Sequence, residues 1–189
     1  YYTLYVLGNS STTGNALRLE IVVGGSLTTI QYTGTIAQNQ WQHFAVVRNG
    51  SGSNNIVLYL NGSSVATGTN TATDSNTGPV YIGYYGYPSY PNYFNGYISN
   101  ARIVKGTAVY TGNFTPSTTP LTPIANTSLL TCQSNRFIDN SANNFTITKN
   151  GDVSIQKFSP FLPTANASPT VNGGSMYLDG TGDYLSIPH

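Results

Sequence analysis

The run Trp41-Gln42-His43-Phe44-Ala45-Val46-Val47-Arg48, followed by Ile56-Val57-Leu58-Tyr59-Leu60-Asn61-Gly62-Ser63-Ser64-Val65-Ala66, decides the architecture. Its β-branched and aromatic residues suit a pleated, half-buried surface. Asn-Gly between two such runs supplies positive φ at both central positions of a type I′ turn, so 56–60 and 63–67 form a hairpin. Val23-Gly24-Gly25-Ser26 and Lys149-Asn150-Gly151-Asp152 are similar turns. Outward from this hairpin, strand patterns recur near 2–7, 16–23, 27–32, 42–48, 79–84, 94–104, 128–132, 144–149, 153–157, 175–178 and 183–187. Short strands separated by Gly, Asn, Ser and Pro, without intervening helical periodicity, predict a β-sandwich and not βαβ units.

Composition agrees. Only 7% of the 189 residues are charged, against roughly a quarter in an ordinary soluble domain. Good helix formers are scarce, with one glutamate (Glu20) and three lysines, while Gly (20) and Tyr (15) abound. A hydrophobic fraction of 39% is enough for a core, which argues against disorder. A net charge of +1 with no basic run cannot neutralise a row of phosphates, so nucleic acid is not an expected partner. No apolar stretch approaches the ~18–20 residues of a membrane span, so membrane insertion is not expected either. The single Cys132 leaves no intramolecular disulfide and no cysteine-based metal cluster.

Three stretches resemble a laminin G-like domain of the concanavalin A-like lectin/glucanase type. Trp41 to Arg48 with Val57-Leu58-Tyr59-Leu60-Asn61-Gly62 resembles the family's W-x-H-[FVI]-A-V strand and LY-[VL]-[ND]-G hairpin. Tyr81-Ile82-Gly83 with Phe94-Asn95-Gly96-Tyr97-Ile98-Ser99-Asn100-Ala101-Arg102-Ile103 resembles its closing strands. Tyr177-Leu178-Asp179-Gly180-Thr181-Gly182-Asp183-Tyr184-Leu185 resembles the FDG-x-G-DY hairpin that opens such a domain, yet here it comes last. The resemblance implies an all-β, concanavalin A-like jelly roll. The order of motifs predicts either a tandem array cut out of register or a permuted domain.

The expected organisation is therefore a laminin G-like sandwich over 1–114 lacking its N-terminal strands. A Pro-flanked β-rich connector follows over 115–172, and 173–189 forms either the opening hairpin of a following repeat or a permuted strand completing the sandwich. Pro116, Pro120 and Pro123 mark the first boundary, because proline cannot donate to a sheet ladder. Trp41 and Phe44 are expected to anchor the core, where large aromatics bury most area. Arg102, on an otherwise apolar strand, calls for an acceptor.

Chemistry is sparse. The fold's glucanases carry a catalytic strand of the E-x-D-x-E kind, and glycoside hydrolysis needs two carboxylates across the scissile bond. This chain has one glutamate, so no enzyme and no catalytic residue are expected. His43 reads as a packed structural histidine and Cys132 as a small buried side chain. Asp179 and Asp183 are weak calcium candidates, with Asp74 weaker still; Asp-Gly-Thr-Gly-Asp is also what a tight turn requires, and that reading is preferred. No other cofactor is expected. The sharpest feature is Tyr81, Tyr84, Tyr85, Tyr87, Tyr90, Tyr93 and Tyr97, interleaved with glycine and proline. Tyr84, Tyr85, Tyr87, Tyr90 and Tyr93 are the candidate ligand-binding set. Such rings either stack on sugars or proteins or simply seal a loop over the sheet.

The segment 128–161 resembles spacers between laminin G-like repeats of marine bacteriophage structural proteins. The resemblance implies a structural and adhesive virion module, a fibre or surface decoration, with glycan binding as a second capacity. Expected partners are other virion subunits or neighbouring repeats, host-surface glycans and further copies of the chain, in a virion or extracellular setting. The alternative is a carbohydrate-binding module of a secreted bacterial adhesin or polysaccharide-degrading enzyme.

Overall fold

A computed structural model describes residues 1–7, 16–73, 77–85, 92–161 and 174–188. These residues form antiparallel sheets and no helix. They divide into two compact units, one of 1–76 with 107–116, the other of 77–106 with 117–189.

In the first unit, β1 (Tyr2–Leu7), β2 (Ala16–Val23) and β3 (Ser26–Tyr32) make one sheet in that order. A second sheet consists of β4 (Phe44–Arg48), β5 (Ile56–Leu60) and β6 (Ser63–Gly68), again in sequence order. Alternation along β2 sends Leu17, Leu19 and Ile21 inward and Arg18 and Glu20 outward. The inward set meets Ile30, Ile36, Ile56 and Leu58 in one aliphatic core. On the outer face Arg18 lies 3.5 Å from Glu20 and donates from Nε to Gln31, while the Tyr5 hydroxyl donates to Glu20 at 2.7 Å.

The Asn61-Gly62 turn forms as expected, with φ of 51° and 82° at its two residues. A side chain at Gly62 would collide with the carbonyl oxygen of Phe114, whose amide in turn donates to the Gly62 carbonyl. The Gly24-Gly25 hairpin is likewise positive in φ at both positions. Phe44 packs against the aliphatic core, but Trp41 lies outside that buried cluster and only half-buried, because β4 begins at residue 44 and not at 42. His43 and Tyr59 instead meet Phe114 edge-on, with ring centroids 5.4 and 5.3 Å away, and Phe114 stacks on Tyr110 at 3.6 Å. The histidine is a packing residue.

The second unit contains β7 (Val80–Ile82), β8 (Tyr84–Tyr85), β9 (Asn92–Tyr93), β10 (Asn95–Ile98), β11 (Ala101–Val104), β12 (Thr127–Thr131), β13 (Thr148–Asn150), β14 (Ser154–Gln156), β15 (Ser175–Asp179) and β16 (Tyr184–Ile187). Its two three-stranded sheets run β10-β15-β14 and β13-β16-β7, with β8-β9 and β11-β12 as two-stranded ribbons. Met176, Leu178, Leu185, Ile187, Leu129, Val153 and Cys132 form the core between them. Two long strands expected from sequence are broken. Gly83, at φ 91°, separates β7 from β8, and Asn100, at φ 57°, separates β10 from β11.

The Lys149–Asp152 and Asp179–Asp183 turns are corners, not hairpin loops. β13 pairs with β16 while β14 pairs with β15, so each turn carries the chain from one sheet to the other. β15 and β16, from the closing segment, take partners on 80–98 as well: β15 pairs with β10 and β16 with β7. Arg102 finds its acceptor in the Thr122 carbonyl, at 3.3 Å.

Candidate functional site

The aromatic group is built by strand alternation. On β16, Leu185 and Ile187 enter the core, so Tyr184 and Ser186 face outward. On β7, Tyr81 lies opposite Ser186, and on β13 Thr148 does the same, which places Thr148, Ser186 and Tyr81 in one cross-strand row. Tyr84 and Tyr93 are directly opposed across the β8-β9 ribbon and share a face.

Those two rings stack, with centroids 5.1 Å apart and planes at 22°. Tyr184 packs on Tyr84 at 4.8 Å, and Tyr81 meets Tyr84 and Tyr184 edge-on at 5.6 and 5.8 Å. Burial, then the neighbouring phenols of Tyr93, Tyr184 and Tyr81, hold the Tyr84 hydroxyl above its ordinary pKa. Beside this group lies an open depression of about 290 Å³, lined by Pro79, Tyr81, Thr148, Tyr184, Ser186 and Pro188 among others. That volume falls near the lower end of ligand clefts, ~300–1,000 Å³. Ring faces and hydroxyls on one rim suit a neutral, polyhydroxylated ligand: C–H faces stack on the rings, and hydroxyls exchange hydrogen bonds with Thr148 and Ser186.

Of the tyrosines singled out from sequence, Tyr84 and Tyr93 join this group. Tyr85, next to Tyr84 on a strand, is directed to the ribbon's other face opposite Asn92. Tyr87, Tyr90 and Asp74 lie outside the described residues. Tyr97 sits elsewhere, against Tyr177 and Phe158 at 5.1 and 4.9 Å. Tyr184 was missed, although the alternation Tyr184-Leu185-Ser186-Ile187 carried the signal that it faces outward.

Asp179 and Asp183 are joined by Asp152, the three offering carboxylate oxygens within 4.8 Å of one another. Asp183 is buried and braces both corners: Oδ1 accepts from the Asp152 amide at 2.8 Å and Oδ2 from the Asp179 amide at 3.1 Å. Asp179 Oδ1 accepts from the Thr181 amide at 2.7 Å, closing its own turn. A side chain at Gly151, φ 74°, would strike the Asp183 carboxylate. The charge of Asp183, a hydrogen bond to it and the charge of Asp179 push the Asp152 carboxyl up. Calcium takes six to eight oxygens at ~2.3–2.6 Å. The carboxylates are of the right type, but their hydrogen bonds are those of turn braces, and they fit the turn reading better than the cation.

Cys132 is fully buried in the second core, where desolvation pushes its thiol up to about 12 against a hydrogen bond with Thr131. It is chemically silent in the folded state.

Antiparallel sheets around aliphatic cores, with no helix among the described residues, define an all-β protein of the sandwich class. The chain belongs to the concanavalin A-like lectin/glucanases superfamily, whose family model matches residues 1–109. No curated protein and no solved structure gives a significant match.

Proposed function

We propose that the chain is a non-enzymatic, carbohydrate-contacting module with a structural and adhesive role. The observation that carries this reading is the tyrosine group, Tyr81, Tyr84, Tyr93 and Tyr184, set beside a depression rimmed by the Thr148 and Ser186 hydroxyls. Membership of a superfamily named for lectins and glucanases supports the ligand class. Among the described residues the depression's lining includes no Asp or Glu, which favours holding a sugar over cleaving it. Individually weak sites of this size gain strength when many are displayed together, as on a virion fibre or other extracellular surface. In that setting the partners are host-surface glycans and neighbouring subunits.

The test is a glycan array followed by calorimetry on the wild-type chain and on Tyr81→Ala and Tyr184→Ala. Binding of a neutral glycan that weakens at least tenfold in both variants, while Trp41→Ala binds normally, supports the reading. No saturable binding, or binding unchanged in both tyrosine variants, refutes it. Mass spectrometry of purified particles against the secreted fraction distinguishes a virion component from a free secreted module.

A further inference from the structure

Asn-Gly occurs five times, at 49–50, 61–62, 95–96, 150–151 and 172–173, and the last pair lies outside the described residues. An asparagine carboxamide followed by glycine is open to attack by the glycine's own backbone nitrogen, because no Cβ hinders the approach. The attack needs an unengaged N–H, an unengaged carboxamide and room for the chain to turn. The four described pairs differ in these respects.

At Asn61-Gly62 the carboxamide is held at both ends: Oδ1 accepts from the His43 amide at 2.8 Å, and Nδ2 donates to Gln42 Oε1 at 2.6 Å. Gly62 itself is buried and crowded by the Phe114 carbonyl. Asn95-Gly96 lies within a ladder, Asn95 opposite Asp179 and Gly96 opposite Leu178. At Asn150-Gly151 the carboxamide donates to Ser186 Oγ at 3.3 Å, and Gly151 abuts the Asp183 carboxylate. Asn49-Gly50, between β4 and β5, is different. Both residues are exposed, and the space around Gly50 is open. Among the described residues neither the Asn49 carboxamide nor the Gly50 N–H has a hydrogen-bond partner. The pair is tethered only on its flanks: the Asn49 amide donates to the Asn55 carbonyl at 2.7 Å, and the Gly50 carbonyl accepts from Asn55 Nδ2 at 3.0 Å. Nucleophile and electrophile are thus adjacent and unengaged.

We infer that Asn49 is a site of spontaneous covalent modification, converted to aspartate and isoaspartate through a succinimide formed with Gly50. The Gly50 nitrogen loses its proton to solvent base and bonds to Asn49 Cγ. The Cγ–Nδ2 bond breaks, and ammonia leaves. Water then opens the ring. Cleavage of the bond from nitrogen to Cγ gives aspartate, and cleavage at the backbone carbonyl gives isoaspartate, whose main chain runs through Cβ and Cγ. One water is consumed and one ammonia released, with no oxidant or reductant. The product places a carboxylate beside Arg48 and cancels the formal net charge of +1. Isoaspartate also inserts a backbone carbon between the two flanking bonds, so the contact from Asn55 Nδ2 to Gly50 is lost. Asn55, 4% exposed, keeps its bond to the Asn70 carbonyl at 2.9 Å, which confines the change to the 49–55 loop.

The test is peptide mapping by mass spectrometry of the folded chain, aged in mildly alkaline buffer, with fragmentation that distinguishes isoaspartate from aspartate. Each Asn-Gly pair is followed separately, so Asn172 does not enter the comparison. The expected result is a gain of one dalton at Asn49 at least tenfold faster than at Asn61, Asn95 or Asn150, with isoaspartate in excess. In concentrated urea the same four sites should react within about threefold of one another. Gln42→Ala, which frees the Asn61 carboxamide nitrogen, should accelerate Asn61 and leave Asn49 unchanged. A folded chain in which another of the four leads, or in which all four react alike, would overturn the inference. The same tenfold lead of Asn49 in urea would overturn it too, because local sequence and not the fold would then set the rate.

Discussion

Asp139 carries the largest single prediction. The residue is 4% exposed, and its carboxylate accepts four hydrogen bonds. Oδ1 takes the amides of Leu130 and Ser141 at 3.0 and 2.9 Å, and Oδ2 takes the Phe145 amide at 3.0 Å and the Ser141 hydroxyl at 2.8 Å. It thereby ties the 139–145 loop to β12, beside the core that contains Leu129 and Cys132. Asp139→Ala removes the acceptor for three amides. The Ser141 hydroxyl retains the Ser128 carbonyl at 3.1 Å. At ~1–2 kcal/mol for each amide left unpaired, the loss is about 3–6 kcal/mol. Cys132 supplies the assay. The only thiol in the chain, it reacts with an aromatic disulfide reagent only when its core opens. At ~1.4 kcal/mol per decade, its labelling should accelerate about 100- to 20,000-fold, with Trp41 fluorescence followed in parallel to distinguish local from global unfolding. Labelling within threefold of wild type would refute the argument, because it would mean that water satisfies those amides as well as the carboxylate does.

Further predictions follow from the titrating groups and the turns. Burial alone would raise the Asp139 carboxyl, but the Ser141, Phe145 and Leu130 amides and the Ser141 hydroxyl outweigh it and hold the pKa below the ordinary value. Its stabilisation is therefore complete above the ordinary aspartate range and is lost as pH falls through the depressed pKa. Asp139→Asn should flatten that acid limb in the Cys132 labelling profile. Asp152 behaves oppositely: with its pKa raised by Asp183 and Asp179, its contribution is full at low pH and is lost as pH rises through the raised pKa. Asp152→Asn should raise the melting temperature at pH 7 and leave it unchanged at pH 3; no difference at pH 7 would show that the three carboxylates do not repel. Gly62→Ala should cost about 2–5 kcal/mol in urea titration, from ~1–2 for positive φ and ~1–3 for overpacking against Phe114. A loss below 1 kcal/mol would mean that the turn relaxes freely.

Much of the architecture was legible in local chemistry. Strand positions, the Asn61-Gly62 turn and the Gly24-Gly25 turn depend on residue type and on neighbours a few positions away, and the expected strands recur within a few residues in the structure. Tyr84 and Tyr93 were also within reach, since both stand out among alternating glycines and prolines. Burial of Cys132 and the packing role of His43 follow from the same apolar surroundings that a reader of the chain can see.

Pairing was not legible, because it depends on contacts between residues far apart in the chain. Lys149–Asp152 reads as a hairpin turn on its own. What diverts β13 and β14 into different sheets is the Asp183 carboxylate, which takes the Asp152 amide from 31 positions away. Tyr184 enters the aromatic group because β16 runs beside β7, and Asp152 joins Asp179 and Asp183 for a related reason. Trp41 was misplaced because aromatic size alone does not reveal which side of a strand's first residue the core will occupy. The residue pattern specifies strands and their faces through local steric and hydrophobic preferences; which edges meet and which rings stack are decided only when distant strands compete for the same hydrogen bonds and the same buried surface.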